Sequence, residues 1–212
     1  MEMFSTIPSL LLTTHKSICA QEVQKYVFGG QVNPIIAGFS NLQNTLTFSA
    51  FLKKFQNDHE LRKIINKEAE GHFNVLQEWE NQRNTIQKFV TDNRYSIKQK
   101  NELLNRIYRD KIRETLLKDI RIYNTKFNEK EINYEMFPAI RLSEFCHYEK
   151  VYRSSKPLGI NDVSDVIICA VVPYVDIVIT EKYQANLFDQ AKHSIVKMKN
   201  VQILTLKNIK EI

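Results

Sequence analysis

The chain has 212 residues and a mass of 25.0 kDa, enough for one large domain or one and a half ordinary ones. With 43% hydrophobic residues it can bury a sizeable core, and only 5 Gly and 5 Pro favour long helices over a β fold with many turns. The net charge of +6 fits an anionic partner but does not require one.

The positions of the cysteines, histidines and apolar residues argue against a disulfide-rich protein, a zinc protein and a membrane-spanning protein. Three cysteines, Cys19, Cys146 and Cys169, are odd in number and far apart, which predicts reduced, mostly buried thiols rather than a disulfide framework. The histidines form no HExxH pair, so no zinc site is predicted. The longest uncharged apolar run, residues 166–175, is too short to span a bilayer. The N-terminus lacks a signal-peptide pattern, so we expect a cytoplasmic protein with no membrane partner.

Residues 1–48 are predicted to begin an α/β core. The stretch SLLLTT, residues 9–14, is typical of a short strand. CAQEVQKYVF, residues 19–28, predicts a helix that stops at Gly29 and Gly30.

Residues 49–135 predict two long antiparallel helices joined near residues 91–96. Both helices carry an apolar stripe at helical spacing. In the first helix the stripe is Leu61, Ile64, Ile65, Phe73, Leu76, Trp79, Ile86 and Val90. In the second it is Leu104, Tyr108, Ile112, Leu116, Ile120, Tyr123 and Phe127.

The second helix is basic. Residues 94–126 contain ten lysines or arginines and four acids, a net charge of +6. One interpretation is a solvated face with pairs at i and i+4. The other is a surface that follows the phosphates of a single-stranded nucleic acid. The candidate contacts for RNA are Arg106, Arg109, Arg113 and Lys118.

Residues 136–212 alternate helix and strand. A helix is predicted to begin near Pro138, and NDVSDVIICAVV predicts a second helix capped by Asn161 or Asp162. VDIVIT has β-branched residues on both faces, which is typical of a buried parallel strand. A further helix and the strand VQILTL follow, so the fold class is a helix-rich α/β.

Two acids are predicted to meet at one edge of this sheet. Glu181 directly follows the strand, and Asp165 is placed in the first turn of the preceding helix. Carboxylates that converge there would suit Mg²⁺ or Mn²⁺, which prefer oxygen ligands. The alternative is that Asp162 and Asp165 only stabilise the start of their helix.

The stretch NDVSDVIICAVVPYVDIVITEKYQANLF resembles the C-terminal half of a PIN-like nuclease domain, and the similarity covers residues 158 to about 206. The upstream FPAIRLSEFCHYEKVYRSSKP is similar to the helix that precedes that half. The resemblance implies a Rossmann-like parallel sheet, with residues 49–135 as a helical insertion. It also implies metal-dependent RNA cleavage, with Asp165 and Glu181 as catalytic and metal-binding acids and Asp176 as a less central one.

The chain departs from the family at its start. The family opens with a strand that ends in Asp, whereas the nearest stretch here has Thr13 at that position. Glu22 is the candidate for the second catalytic acid. A missing first strand, a catalytically deficient relative and an acid supplied by a partner chain all stay open. Two functions are therefore expected: a metal-dependent endoribonuclease, or a PIN-like scaffold that binds nucleic acid or a protein partner.

Overall fold

The computed structural model of the chain describes residues 15–33, 59–124, 127–128, 130, 132–205 and 207, and between residues 60 and 69 only the side chains of Lys63 and Lys67. The predicted strand at residues 9–14 and the side chains of Leu61, Ile64 and Ile65 lie outside this part. The regular elements are α1 His15–Phe28, α2 His59–Asp92, α3 Ile97–Tyr123, α4 Pro138–Tyr148, α5 Ile160–Cys169, β1 Ile177–Thr180, α6 Lys182–Ala191 and β2 Gln202–Thr205.

The helix α1 ends where its sequence predicts. Gly29 and Gly30 have φ angles of 79° and 105°, in the left-handed region that glycine adopts without a steric penalty. The Gly29 N–H donates to the Lys25 carbonyl at 2.8 Å, which closes the last turn.

Two long helices, α2 and α3, occupy the range where the sequence predicts them. Ser96 caps α3 in a capping box: its side chain accepts from the Gln99 N–H at 3.3 Å, and the Gln99 side chain accepts from the Ser96 N–H at 2.9 Å. The helix α2 packs on α5 and on the turn after α4, whereas α3 packs on α1 and α4. The two apolar stripes thus lie against different elements, and a hairpin insertion stays a prediction.

The stripe of α3 forms much of the core. Leu104, Ile112, Leu116 and Ile120 are all buried, as their spacing predicts. Burying one such side chain contributes about 2 kcal/mol. On α2 the prediction holds for Trp79 but is wrong for Phe73, which is 59% exposed.

The core clusters cross the predicted boundaries at residues 48 and 135. One cluster joins Val23 of α1, Leu116 of α3 and Ile140 of α4. Another joins Trp79 of α2 to Leu142 of α4. Elements from the three predicted ranges therefore share their cores.

The C-terminal part alternates helix and strand as predicted. The strands β1 and β2 pair in parallel, with Ile177 opposite Gln202 and Thr180 opposite Thr205. The expectation that β1 is buried on both faces is wrong, because Ile177 and Ile179 are 49% and 46% exposed. Val178 and Ile203, on the other face, pack against the core. Among the described elements, helices thus cover one face of this two-stranded sheet.

The start of α5 differs from the prediction. Gly159 is the N-cap residue, rather than Asn161 or Asp162, and the Asp162 carboxylate accepts from the Gly159 N–H at 2.8 Å. Asp165 consequently lies in the second turn of α5 and not in the first. In the described part of the chain, no helix combines the length and apolarity needed to cross a membrane.

Candidate functional site

A widened turn follows α4 and places a lysine in the core. Residues Glu149–Arg153 form a π-helical turn, and the Ser154 N–H donates to the Glu149 carbonyl at 2.9 Å. Lys150 and Val151 in this turn are buried. Turns of this kind are rare and occur frequently at functional sites.

The Lys150 ammonium lies between two carboxylates of α5. Its Nζ donates to Asp162 Oδ1 at 2.7 Å and to Asp165 Oδ2 at 2.9 Å, and the lysine side chain is only 2% exposed. The two acids are three residues apart and so share a face of the helix. Burial disfavours the charged ammonium, but the hydrogen bonds to Asp162 and Asp165 outweigh it, and the pKa of Lys150 is raised.

Arg83 of α2 holds this turn in place through backbone carbonyls. Its Nε donates to the Val151 carbonyl at 2.7 Å and its Nη1 to the Lys156 carbonyl at 2.6 Å. Its Nη2 donates to the carbonyl of Lys150 itself. One guanidinium thus joins α2 to both sides of the turn that carries Lys150.

A cavity of about 220 Å³ opens beside Lys150, lined also by Lys156, Asp162, Glu181 and Tyr183. Both lysine Nζ atoms lie over the Tyr183 ring, at 5.1 Å for Lys150 and 4.9 Å for Lys156 from the centroid. Glu181 lies at the carboxyl end of β1, where the sequence places it, and is exposed. Asp165 reaches the same group of side chains through its bond to Lys150.

Asp176, the third predicted metal ligand, lies elsewhere. It precedes β1 whereas Glu181 follows it, so their Cα atoms are about 16 Å apart at the usual rise of an extended chain. The backbone carbonyl of Asp176 accepts from the Gln202 N–H at 2.8 Å, which extends the pairing of the two strands. One ion cannot bind both carboxylates in this arrangement.

Glu22, the predicted second catalytic acid, is a buried helix cap. Its Oε1 accepts from the Ala139 N–H at 2.6 Å and from the Tyr174 hydroxyl, and its Oε2 accepts from the Ile140 N–H at 3.1 Å. The side chain is 0% exposed. Burial raises the pKa of Glu22 from 4.5 to about 7, even though the hydrogen bonds act in the opposite direction. Both oxygens therefore stabilise the start of α4, whereas Lys150 lies just past the end of that helix.

The four basic residues predicted to bind nucleic acid are exposed on α3. Arg106, Arg109 and Arg113 follow each other at spacings of three and four, so they share one face. Lys118 lies about 140° around the helix from Arg113. It lines a shallow surface depression with the acids Asp110 and Glu114 and with Arg113, so the charge on that side is mixed.

The acidic side chains near Lys150 do not form a site for a divalent ion while the lysine lies between them. Asp162 and Asp165 each give an oxygen to its ammonium, and a positive group between them repels a second cation. Glu22 and Asp176 lie away from this pair. Within the described ranges, no three side chains of His, Cys, Asp or Glu are grouped so as to hold a metal ion.

One feature of the sequence points to Lys150 as a buried residue with a carboxylate partner. The spacing of the acids, on which the metal-site prediction rests, does not reveal it. Lys150 stands between Tyr148 and Val151, both buried, and a lysine within a buried run requires a carboxylate partner. Arg83 and Tyr183 carry no comparable signal, because their roles depend on contacts with residues distant in the chain.

Comparison of the chain with protein-family models, with curated proteins and with solved structures finds no match in any of the three. The PIN-like fold thus stays a resemblance of residues 158 to about 206.

Proposed function

We propose that this chain is a catalytically deficient PIN-like scaffold that binds single-stranded RNA without cleaving it. The observation that carries the proposal is the Lys150 ammonium between Asp162 and Asp165, at 2.7 and 2.9 Å. In this interpretation the lysine neutralises Asp165, an acid that the resemblance assigns to a divalent ion. RNA binding rests on the exposed arginines of α3 and on the net charge of +6.

A titration with Mn²⁺ tests whether the Lys150 ammonium takes the place of a metal ion. We expect millimolar Mn²⁺ to leave the Tm of the unmodified chain unchanged. Lys150→Ala leaves Asp162 and Asp165 without their buried cation, and Glu181 lines the same cavity, so Mn²⁺ should raise the Tm of that variant by mass action. Each variant is compared with its own metal-free Tm, because the substitution itself costs stability.

Lys192→Ala is the matched control, since Lys192 pairs with Asp189 at 3.1 Å on the surface of α6. It should show no response to Mn²⁺. A rise in Tm of the unmodified chain with Mn²⁺ that Asp165→Asn abolishes would contradict the proposal.

RNA binding is tested through its salt dependence. Replacing Arg106, Arg109 and Arg113 together with Gln should weaken binding of a labelled single-stranded RNA. It should also reduce the slope of log K against log salt by roughly 0.7 for each phosphate that the variant no longer neutralises. Lys199→Gln is the control, because Lys199 is an exposed lysine that does not lie on α3, and it should leave the slope nearly unchanged. An unchanged slope in the triple variant would show that this face is only solvated.

The metal-dependent endoribonuclease is the second candidate. It is favoured by the resemblance, which assigns Asp165 and Glu181 to one metal site: Glu181 lines the cavity beside Lys150, and Asp165 is hydrogen-bonded to that lysine. In that case the chain would cleave RNA with Mn²⁺ or Mg²⁺, and EDTA, Asp165→Asn and Glu181→Gln would each abolish cleavage. Under our proposal, purified chain leaves a labelled RNA intact after prolonged incubation with Mn²⁺.

A further inference from the structure

Two of the three cysteines lie in the same part of the core. Cys146 of α4 and Cys169, the last residue of α5, are free thiols, and both are 0% exposed. They belong to one apolar cluster, whereas Cys19 packs against two other clusters. The prediction of buried thiols is thus confirmed for this pair, and the fold brings the two together from different helices.

The side chain of Gln184 joins the two sulfur atoms. This residue of α6 is 3% exposed, and its Nε2 donates to the Cys169 Sγ at 3.1 Å and to the Cys146 Sγ at 3.8 Å. Its Oε1 is buried and has no hydrogen-bond partner among the residues that the structure describes. An amide that is buried with its oxygen unpaired costs free energy, and one explanation for such a group is a redox role of its neighbours.

The register of α4 against α5 places the two thiols opposite each other. The Lys150 ammonium, in the turn after α4, donates to the Asp165 carboxylate at 2.9 Å. Cys146 precedes Lys150 by four residues and Cys169 follows Asp165 by four, so each thiol lies about one helical turn from the ion pair. A step back along one element is matched by a step forward along the other. The ion pair and the thiol pair are therefore consecutive contacts between two segments that run in opposite directions.

Both thiols are protected at rest. Burial raises the pKa of Cys169, and the neighbouring Cys146 thiol raises it further, whereas the charge of Lys150 acts in the opposite direction. The Cys169 thiol donates to the Asp165 carbonyl at 2.9 Å and is therefore protonated. Because the thiolate is the reactive form, the pair reacts slowly, and a small neutral oxidant reaches it when the end of α5 opens.

We propose that Cys146 and Cys169 are a site of oxidative modification, which hydrogen peroxide converts into a disulfide between α4 and α5. One sulfur attacks the peroxide, so a sulfur–oxygen bond forms, the oxygen–oxygen bond breaks and water leaves. The other sulfur attacks the resulting sulfenic acid, so the disulfide bond forms and a second water leaves. The two thiols lose two electrons and two protons, which reduce the peroxide. The link fixes the register that holds Lys150 against Asp165.

Counting the thiols of the full chain after treatment with hydrogen peroxide tests the site. Alkylation of the unfolded chain should label three cysteines before treatment and only Cys19 after it. Trypsin should release residues 142–150 and 154–182 as a linked pair that dithiothreitol separates. Cys19→Ser should leave this pair unchanged, and Cys169→Ala should abolish it. A chain oxidised in urea should give mixed pairs, because the fold no longer selects the partner.

Gln184→Met is the variant that tests the joining amide. It keeps the length of the side chain but removes the donor to both sulfur atoms and the unpaired oxygen. We expect the disulfide to form several-fold more slowly, because the amide no longer holds the sulfur atoms together or stabilises a thiolate, and we expect no loss of Tm. Gln190→Met, at an exposed position of the same helix, is the matched control and should react at the rate of the unmodified chain.

The cross-link should also raise the Tm. It closes a loop between α4 and α5 and so lowers the conformational entropy of the unfolded chain. The oxidised chain should melt several degrees above the reduced one and return to the lower Tm with dithiothreitol. Three free thiols after treatment, pairs that include Cys19, or a lower Tm of the cross-linked chain would each overturn the proposal. Equal rates for Gln184→Met and the unmodified chain would do the same.

Discussion

Two buried polar clusters, one at the start of α4 and one just past its end, stabilise carboxylates in opposite ways. At the start, the groups that donate hydrogen bonds to Glu22 are neutral, two backbone N–H groups and the Tyr174 hydroxyl, and the charge of Lys197 acts on it only as a smaller influence. Past the end, Asp162 and Asp165 share the buried ammonium of Lys150. The first cluster depends on a proton and the second on an ion pair, so the two should respond differently to substitution and pH.

Removal of the ammonium should have the largest effect. Lys150→Met leaves Asp162 and Asp165 close together without a counter-charge, and breaking a buried pair in this way costs about 3–5 kcal/mol. We expect this loss in the free energy of unfolding by urea at pH 7. Lys192→Met, at a surface pair, should cost less than about 1 kcal/mol. Equal losses from the two variants would remove the distinction between a buried and a surface pair.

The Glu22 cluster should make stability fall as pH rises. Its pKa is 4.5 in the unfolded chain and about 7 in the folded one, so between these values the folded state binds more protons. Its contribution is therefore full below about pH 4.5 and is lost as the pH passes 7, a change on the order of 3 kcal/mol.

Urea unfolding of the unmodified chain and of Glu22→Gln measures this contribution. Gln cannot titrate, and its amide cannot accept from both backbone N–H groups, so the variant should be less stable at pH 5. The difference between the two proteins should shrink by pH 8. If the free energies of unfolding of the two proteins, plotted against pH, ran parallel from pH 5 to pH 8, Glu22 would not titrate in this range.

The hydrogen bonds that Arg83 of α2 donates to the turn after α4 should stabilise only the Lys150 cluster. Their loss should lower the free energy of unfolding by the smallest of the three amounts. Arg83→Lys keeps the charge but cannot reach three carbonyls, so we expect a loss of about 2 kcal/mol. Hydrogen exchange should accelerate in residues 149–156 and not around Ala139. Arg106→Lys, on the exposed face of α3, is the control and should change stability by less than about 0.5 kcal/mol. Faster exchange at both ends of α4 would show that Arg83 acts on the whole fold.

The sequence predicts the elements better than the site, for a physical reason. Helical spacing marks Leu104, Ile112, Leu116 and Ile120 as core because burial of a stripe is a local pattern. The Gly29–Gly30 stop and the alternation of helix and strand after residue 160 are also local, and both are confirmed.

The site depends on contacts between residues that are far apart in the sequence, and the spacing of residues along the chain does not reveal such contacts. Glu22 has the residue type of a catalytic acid, but its partners lie 117 and 118 residues later, so its role as a cap is not visible locally. Lys150 meets Asp162 and Asp165 because a π-helical turn follows α4, and no residue pattern in Glu149–Arg153 indicates that turn. The exposed face of β1 likewise depends on which elements cover the sheet.

The Glu22 cap also has a consequence for synthesis of the chain. Its partner Ala139 is translated 117 residues after it, which takes roughly 6 to 23 s at ordinary rates of elongation. Until Ala139 has been made, the Glu22 carboxylate lacks its two backbone donors in α4, and the apolar residues Ile18 and Val23 lack their α4 neighbours. The buried start of α4 can therefore close only as a late event of translation, when the two ends of a 117-residue loop meet.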